Sequence, residues 1–169
     1  PTRTGVIDIL KLMGADISLE NLREVGGEPV ADLRVRAAKL RGIDIPEDLV
    51  PLAIDEFPVL FIAAACAEGR TILRGAEELR VKESDRIQVM ADGMLALGIQ
   101  CEPTPDGIII DGGAIGGGEV HSHGDHRIAM SAAVAACICT EPVTVTGCEC
   151  VNKSFPRFWE NFSGLECGQ

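Results

Sequence analysis

Basic residues are scarce in this sequence: 15 Lys and Arg stand against 26 Asp and Glu in 169 residues, for a formal net charge of −11. Phosphate backbones select clustered Lys and Arg, so a broad nucleic-acid surface is excluded, and any anion must be held locally. Long hydrophobic runs are also lacking. The longest mostly apolar stretch, Ile128 to Cys139, falls short of the roughly 20 residues a bilayer helix needs. There is no HExxH pattern, no strand-GxGxxG-helix and no GK[ST], so Gly112-Gly113 and Gly116-Gly117-Gly118 mark a loop and not a phosphate cradle. No secretory signal accompanies the seven Cys, an odd number that reads as free thiols in a reducing compartment and not as a disulfide framework. The chain starts at Pro1 and opens almost directly into a helical pattern. The expectation is a piece of a longer, soluble, cytoplasmic protein.

With 46% hydrophobic residues, the chain has enough apolar material for one packed domain or a large part of one. Helical patterns run near Gly5–Met13, Pro58–Ala67, Ser84–Leu97, Arg127–Cys139 and Phe155–Phe162. Ile87, Met90, Met94 and Leu97 recur at helical spacing with Gly98 as a stop, which predicts an amphipathic helix. The segments 59–67 and 128–136 are apolar all round with many small residues, which predicts helices buried on every side. Strands are predicted at Thr71–Arg74, Gly107–Ile110 and Pro142–Thr146, and Pro103–Asp106 reads as a turn. The order repeats. A helix ends at Gly14, strands and a loop follow, Asp55 opens a buried helix and a strand returns to Gly75; the same sequence of elements runs from Gly98 through Asp125 to Gly147. Two units of one plan, with different loop lengths, are therefore expected.

Four charged clusters fall at corresponding places: Asp55-Glu56, Lys82-Glu83 with Ser84 and Arg86, Asp125-His126-Arg127, and Lys153 ahead of Ser154-Phe155-Pro156. Asp55, Ser84, Asp125 and Ser154 suit N-caps, and Pro58 and Pro156 suit first helical turns. Cations beside helix N-termini oppose the macrodipole, which favours them at the other end by about 0.3–1 kcal/mol. A bound carboxylate or phosphate would reverse that balance. If they lie on one helix, Lys82, Glu83 and Arg86 share a face. His121, His123 and His126 leave a zinc hydrolase open as an alternative, although their spacing meets only part of what such a site needs. Cys137-x-Cys139 and Cys148-x-Cys150 invite a four-thiolate zinc reading, but residues two apart on a helix do not face together.

The runs Ile54-Asp55-Glu56-Phe57-Pro58, Leu79-Arg80-Val81-Lys82-Glu83-Ser84-Asp85-Arg86, Asp125-His126-Arg127-Ile128-Ala129-Met130 and Lys153-Ser154-Phe155-Pro156 occur in this order. Together they closely resemble the 5-enolpyruvylshikimate-3-phosphate synthases, the 3-phosphoshikimate 1-carboxyvinyltransferases of the shikimate pathway. The likeness runs from near residue 1 to about residue 165. It implies an α/β fold, an inside-out α/β barrel domain of repeated βαβαββ units with buried helices and outer sheets. On this resemblance, residues 1–169 are most of the C-terminal domain of a two-domain enzyme whose N-terminal domain is absent from the sequence.

The resemblance further implies transfer of the enolpyruvyl group of phosphoenolpyruvate to the 5-hydroxyl of shikimate 3-phosphate, with release of phosphate and with neither metal nor cofactor. Asp55 would orient or deprotonate the hydroxyl, Glu83 would protonate the enol methylene, and Lys153 would shuttle protons and pair with phosphate. Arg86 and Arg127 would clamp the phosphoenolpyruvate carboxylate. Lys82, with Asp55, would bind shikimate 3-phosphate, and His126 and Asp125 would organise the site from behind. Some family members carry Asn four residues before the lysine of this motif; here Glu78 stands there. The parent enzyme is expected to be a monomer acting on two small molecules, without nucleic acid or membrane, and the isolated chain to have no turnover. Competing readings are a UDP-N-acetylglucosamine enolpyruvyl transferase and a noncatalytic anion-binding domain.

Overall fold

The computed structural model describes residues 4–165. Helix α1 (Gly5–Leu12) leads into a long antiparallel hairpin, β1 (Asp16–Val25) and β2 (Glu28–Arg36). Its tip is Gly26-Gly27, both at positive φ, as a tight two-residue hairpin turn requires. The segment 40–45 then runs parallel to β3 (Arg70–Leu73), with Gly42 N–H donating to Glu68 O at 2.8 Å and Ile72 N–H to Ile43 O at 2.9 Å. Between them lies α2 (Phe57–Ala65). The second pass places α3 (Arg86–Ala96), the antiparallel hairpin β4 (Gln100–Thr104) and β5 (Gly107–Asp111), then β6 (Gly118–His121), α4 (His126–Ala136) and β7 (Val143–Thr146), with β6 parallel to β7. The duplicated order expected from the sequence is present: helix, hairpin, a strand-like segment, helix, parallel strand.

The two passes are joined by a shared sheet, because β5 pairs with β4 on one edge and with β3 of the first pass on the other. Helices α2, α3 and α4 pack on one another and the sheets contact them from outside. Phe57, Phe61, Ile87, Met94, Ile108, Ile110 and Ile128 are at most 1% exposed in the core they form. The small residues of α2 and α4 allow this close approach. Among the described residues no helix is long and apolar enough to cross a membrane.

Several sequence expectations need correction. Neither apolar segment is buried on every side: Val59 in α2 is 36% exposed and Val134 in α4 is 37% exposed, and Cys66 just after α2 lies at the surface. Pro103 and Thr104 belong to β4, where Pro103 pairs opposite Ile108, so the turn is confined to the residues between the strands. Gly118 opens β6 instead of lying in a loop. Gly112 is required by packing, since a Cβ there would sit 1.8 Å from the Ala67 carbonyl oxygen. The helix predicted at Phe155–Phe162 starts only at Phe158, as α6 (Phe158–Ser163); a separate short helix, α5 (Val151–Ser154), precedes it, with Pro156 in the turn between the two. Pro lacks the N–H a continuous helix would need there.

Candidate active site

The charged side chains converge where the starts of α2, α3 and α4 meet. Arg86, the first residue of α3, is 1% exposed and lies at the centre. Its Nε donates to Asp125 Oδ2 at 2.8 Å and its Nη2 to Glu83 Oε2 at 2.5 Å, while Nη1 reaches Asp55 Oδ1 at 3.4 Å. Asp125 is fully buried and caps α4 by accepting the Arg127 N–H at 2.9 Å. It also accepts the Ser84 hydroxyl at 3.0 Å. Burial on its own would push the Asp125 carboxyl up. The hydrogen bonds and charge of Arg86, with the Arg127 N–H and the Ser84 hydroxyl, outweigh burial and hold it below the ordinary carboxylate value.

Asp55 faces three cations. It lies in the 3₁₀ turn Ile54–Glu56 that leads into α2. Besides Arg86, its carboxylate stands 3.7 Å from Lys82 Nζ and 3.8 Å from Arg127 Nη2. The Asp55 carbonyl oxygen accepts from Arg127 Nη1 at 2.8 Å. Glu56 also joins the cluster: it approaches Arg127 at 3.7 Å, and its Oε2 is buried without a hydrogen-bond partner. No period or motif in the sequence distinguishes Glu56 from a helix-start carboxylate.

The segment carrying Lys82 and Glu83 is not part of α3. It follows a second 3₁₀ turn, Glu77–Val81, and Lys82 is extended at the end of that turn. The shared helical face expected for Lys82, Glu83 and Arg86 is therefore absent, and Glu83 meets Arg86 by the chain bending back. The segment is pinned by Leu79, fully buried, and by Arg80, which donates to Pro105 O at 2.9 Å and Thr104 O at 2.5 Å and pairs with Asp85 at 2.7 Å. Lys82 itself is paired with Glu78.

The capping expectations divide. Asp125 caps α4, but Asp85 and not Ser84 caps α3 through the Gln88 N–H, and Glu56 instead of Asp55 precedes α2. Ser154 ends α5, and Lys153 sits in the last turn of that helix, where the macrodipole favours a cation, instead of beside an N-terminus. Lys153 is exposed and makes no ion pair with the cluster among the described residues. His126 opens α4, half-buried, without a bond to Glu83. His121 and His123 lie edge to face at 4.5 Å between ring centres. Among the described residues no three His, Cys, Asp or Glu side chains are grouped to hold a metal ion. Cys167 lies outside the described residues; the other six cysteines are free thiols.

The arrangement is a buried guanidinium, Arg86, neutralised by surrounding carboxylates and open at one edge through the exposed Glu83 and the partly exposed Lys82 and Arg127. The family profile described as EPSP synthase (3-phosphoshikimate 1-carboxyvinyltransferase) matches residues 1–162, a span that contains every residue of this network. The chain belongs to the EPSP synthase family. It is 66% identical over 168 residues to the 3-phosphoshikimate 1-carboxyvinyltransferase of Nitrosococcus oceani, covering 99% of this chain and 37% of that protein. It is 68% identical over 161 residues to the one from Alkalilimnicola ehrlichii, covering 95% and 36%. The chain thus spans little more than a third of the length of these relatives. A solved EPSP synthase from Acinetobacter baumannii superposes with a TM-score of 0.92 at 60% identity, covering 95% of this chain and 38% of that one. The enolpyruvyl transferase NikO from Streptomyces tendae shares the fold, with a TM-score of 0.72 at 22% identity, covering 96% of this chain and 35% of that one.

Proposed function

We propose that this EPSP synthase segment is most of the C-terminal domain of a two-domain, monomeric cytoplasmic enzyme that transfers the enolpyruvyl group of phosphoenolpyruvate to shikimate 3-phosphate. The observation that carries the reading is the convergence of Asp55, Lys82, Glu83, Arg86 and Arg127, from three separate stretches of chain, on one edge of the fold. Two arginines and a lysine suit two anionic substrates, and guanidinium groups suit a planar carboxylate. Asp55, held between Lys82, Arg86 and Arg127, has the contacts of a base whose carboxylate is kept oriented. Glu83 occupies Arg86 Nη2 at 2.5 Å. A substrate carboxylate arriving at Arg86 would displace it and leave Glu83, at the open edge of the cluster, free to turn toward the enol methylene as the proton donor. Asp125 fixes Arg86 from the buried side and takes the organising role, with His126 beside it at the start of α4. Lys153 would enter the reaction only with the remainder of the site in place.

The reading is tested in the full-length enzyme by following phosphate release with phosphoenolpyruvate and shikimate 3-phosphate. Glu83→Gln is expected to lower kcat by about 10²- to 10⁴-fold with the KM of each substrate within about threefold. Undiminished turnover of that variant, or turnover of the parent with a UDP-sugar acceptor instead, would overturn it. A noncatalytic anion-binding domain predicts no turnover in the parent at all.

A further inference from the structure

We infer that Glu78 is a positioning residue that aims Lys82 at the acceptor substrate and holds it off Asp55. The inference rests on the proposed transferase reading. Lys82 closes the 3₁₀ turn Glu77–Val81 in an extended conformation, which returns its side chain over the turn to meet the Glu78 carboxylate four residues back. On its other side stands Asp55, 3.7 Å from Nζ and beyond hydrogen-bond reach. An ammonium has three N–H donors; Glu78 takes one, which fixes the direction in which the others point.

Exposed ion pairs usually contribute little because two long side chains must be ordered to form them, and Glu78 is 62% exposed. Here the ordering is already supplied by the backbone. Leu79 is fully buried beside it, and Arg80 ties the same turn to the carbonyls of Pro105 and Thr104 and to Asp85. Lys82 is itself only 22% exposed. The hydrogen bond that Lys82 donates to Glu78 is the largest influence raising the Lys82 pKa above the ordinary lysine value, ahead of opposing burial and of attraction to Asp55. Without Glu78, the carboxylate left paired with Lys82 among the described residues is Asp55, and closure of that gap would take both the base and its neighbouring cation away from the acceptor hydroxyl.

The experiment is steady-state kinetics of the full-length enzyme carrying Glu78→Ala, Glu78→Gln or Glu78→Asp, with each substrate varied in turn. Glu78→Ala is expected to raise the KM for shikimate 3-phosphate by about fivefold or more and to leave the KM for phosphoenolpyruvate within about twofold. Glu78→Gln, which keeps an acceptor oxygen without the charge, is expected to fall between Ala and the parent, and Glu78→Asp to restore part of the loss. An acceptor KM within twofold of the parent in both Ala and Gln variants, or a parallel rise in both KM values, overturns the inference. Failure of the transferase reading is separately visible, because the unmodified enzyme would then release no phosphate from phosphoenolpyruvate in the presence of shikimate 3-phosphate.

Discussion

Arg86 and Asp125 show how a single buried pair serves both the fold and the candidate site. Each is at most 1% exposed, and they meet at 2.8 Å. A buried pair adds little over an apolar pair, but removing one partner strands the other at a cost of about 3–5 kcal/mol. Arg86 keeps Glu83 and Asp55 when Asp125 is lost, so Asp125→Ala should cost about 3 kcal/mol in urea unfolding near neutral pH. The sign of the pH dependence follows from the depressed folded-state pKa of Asp125. Its contribution is complete above the unfolded carboxylate value of about 3.9 and is lost as the pH falls from there through the lower folded value. The parent should therefore lose its stability advantage over Asp125→Asn in that acid window, and an advantage that grows on acidification would contradict the assignment. Cys101 offers a second residue-level check. Burial first, and Asp92 second, push its thiol up to about 11, so iodoacetamide at pH 8 should label it about tenfold or more slower than a free thiol of comparable exposure.

At the level of elements, the glycines after β5 separate packing from flexibility. Gly112 faces the Ala67 carbonyl oxygen at 1.8 Å from a would-be Cβ, whereas a Cβ at the adjacent Gly113 meets nothing within 4 Å. Gly112→Ala should cost about 2 kcal/mol or more in denaturant unfolding and Gly113→Ala almost nothing; equal effects would show that the strand end gives way.

The same scale explains what could be read from sequence. Helices α1 to α4, strands β3, β5 and β7 and the repeated order were legible because α3 carries a helical apolar period and the others are apolar runs set off by turn residues or helix-start signals. The hairpin β1–β2 was not delimited, although Gly26-Gly27 marks its turn. Its strands expose Leu22, Val25, Leu33 and Val35 and carry a register shift between Glu20 and Arg23, so no clean alternation survives. In the candidate site, Asp55, Glu83, Arg86, Asp125 and Arg127 were legible from motifs. The place of Lys82 on a bend, the pairing of Glu78 and the approach of Glu56 to Arg127 were not, because each depends on 3₁₀ turns and long-range contacts that leave no period.

On the scale of the whole molecule, the candidate site lies across the two repeats, with Asp55 contributed by the first and Arg127 by the second, 3.8 Å apart. The chain spans little more than a third of the relatives' length, and on the two-domain organisation proposed above it would hold only part of the site. This chain expressed alone is expected to show no phosphate release with both substrates, and normal rates from it would defeat the two-domain reading. The shared sheet carries one more consequence. Strand β3 leaves the ribosome well before β5, its antiparallel partner, so during synthesis one edge of β3 waits unpaired while all of α3 and β4 emerge. Such an edge invites pairing with a neighbouring nascent chain. Slowing translation over residues 74–106 should therefore lower the soluble yield, an effect readable by pulse-labelling, whereas slowing it after residue 111 should not.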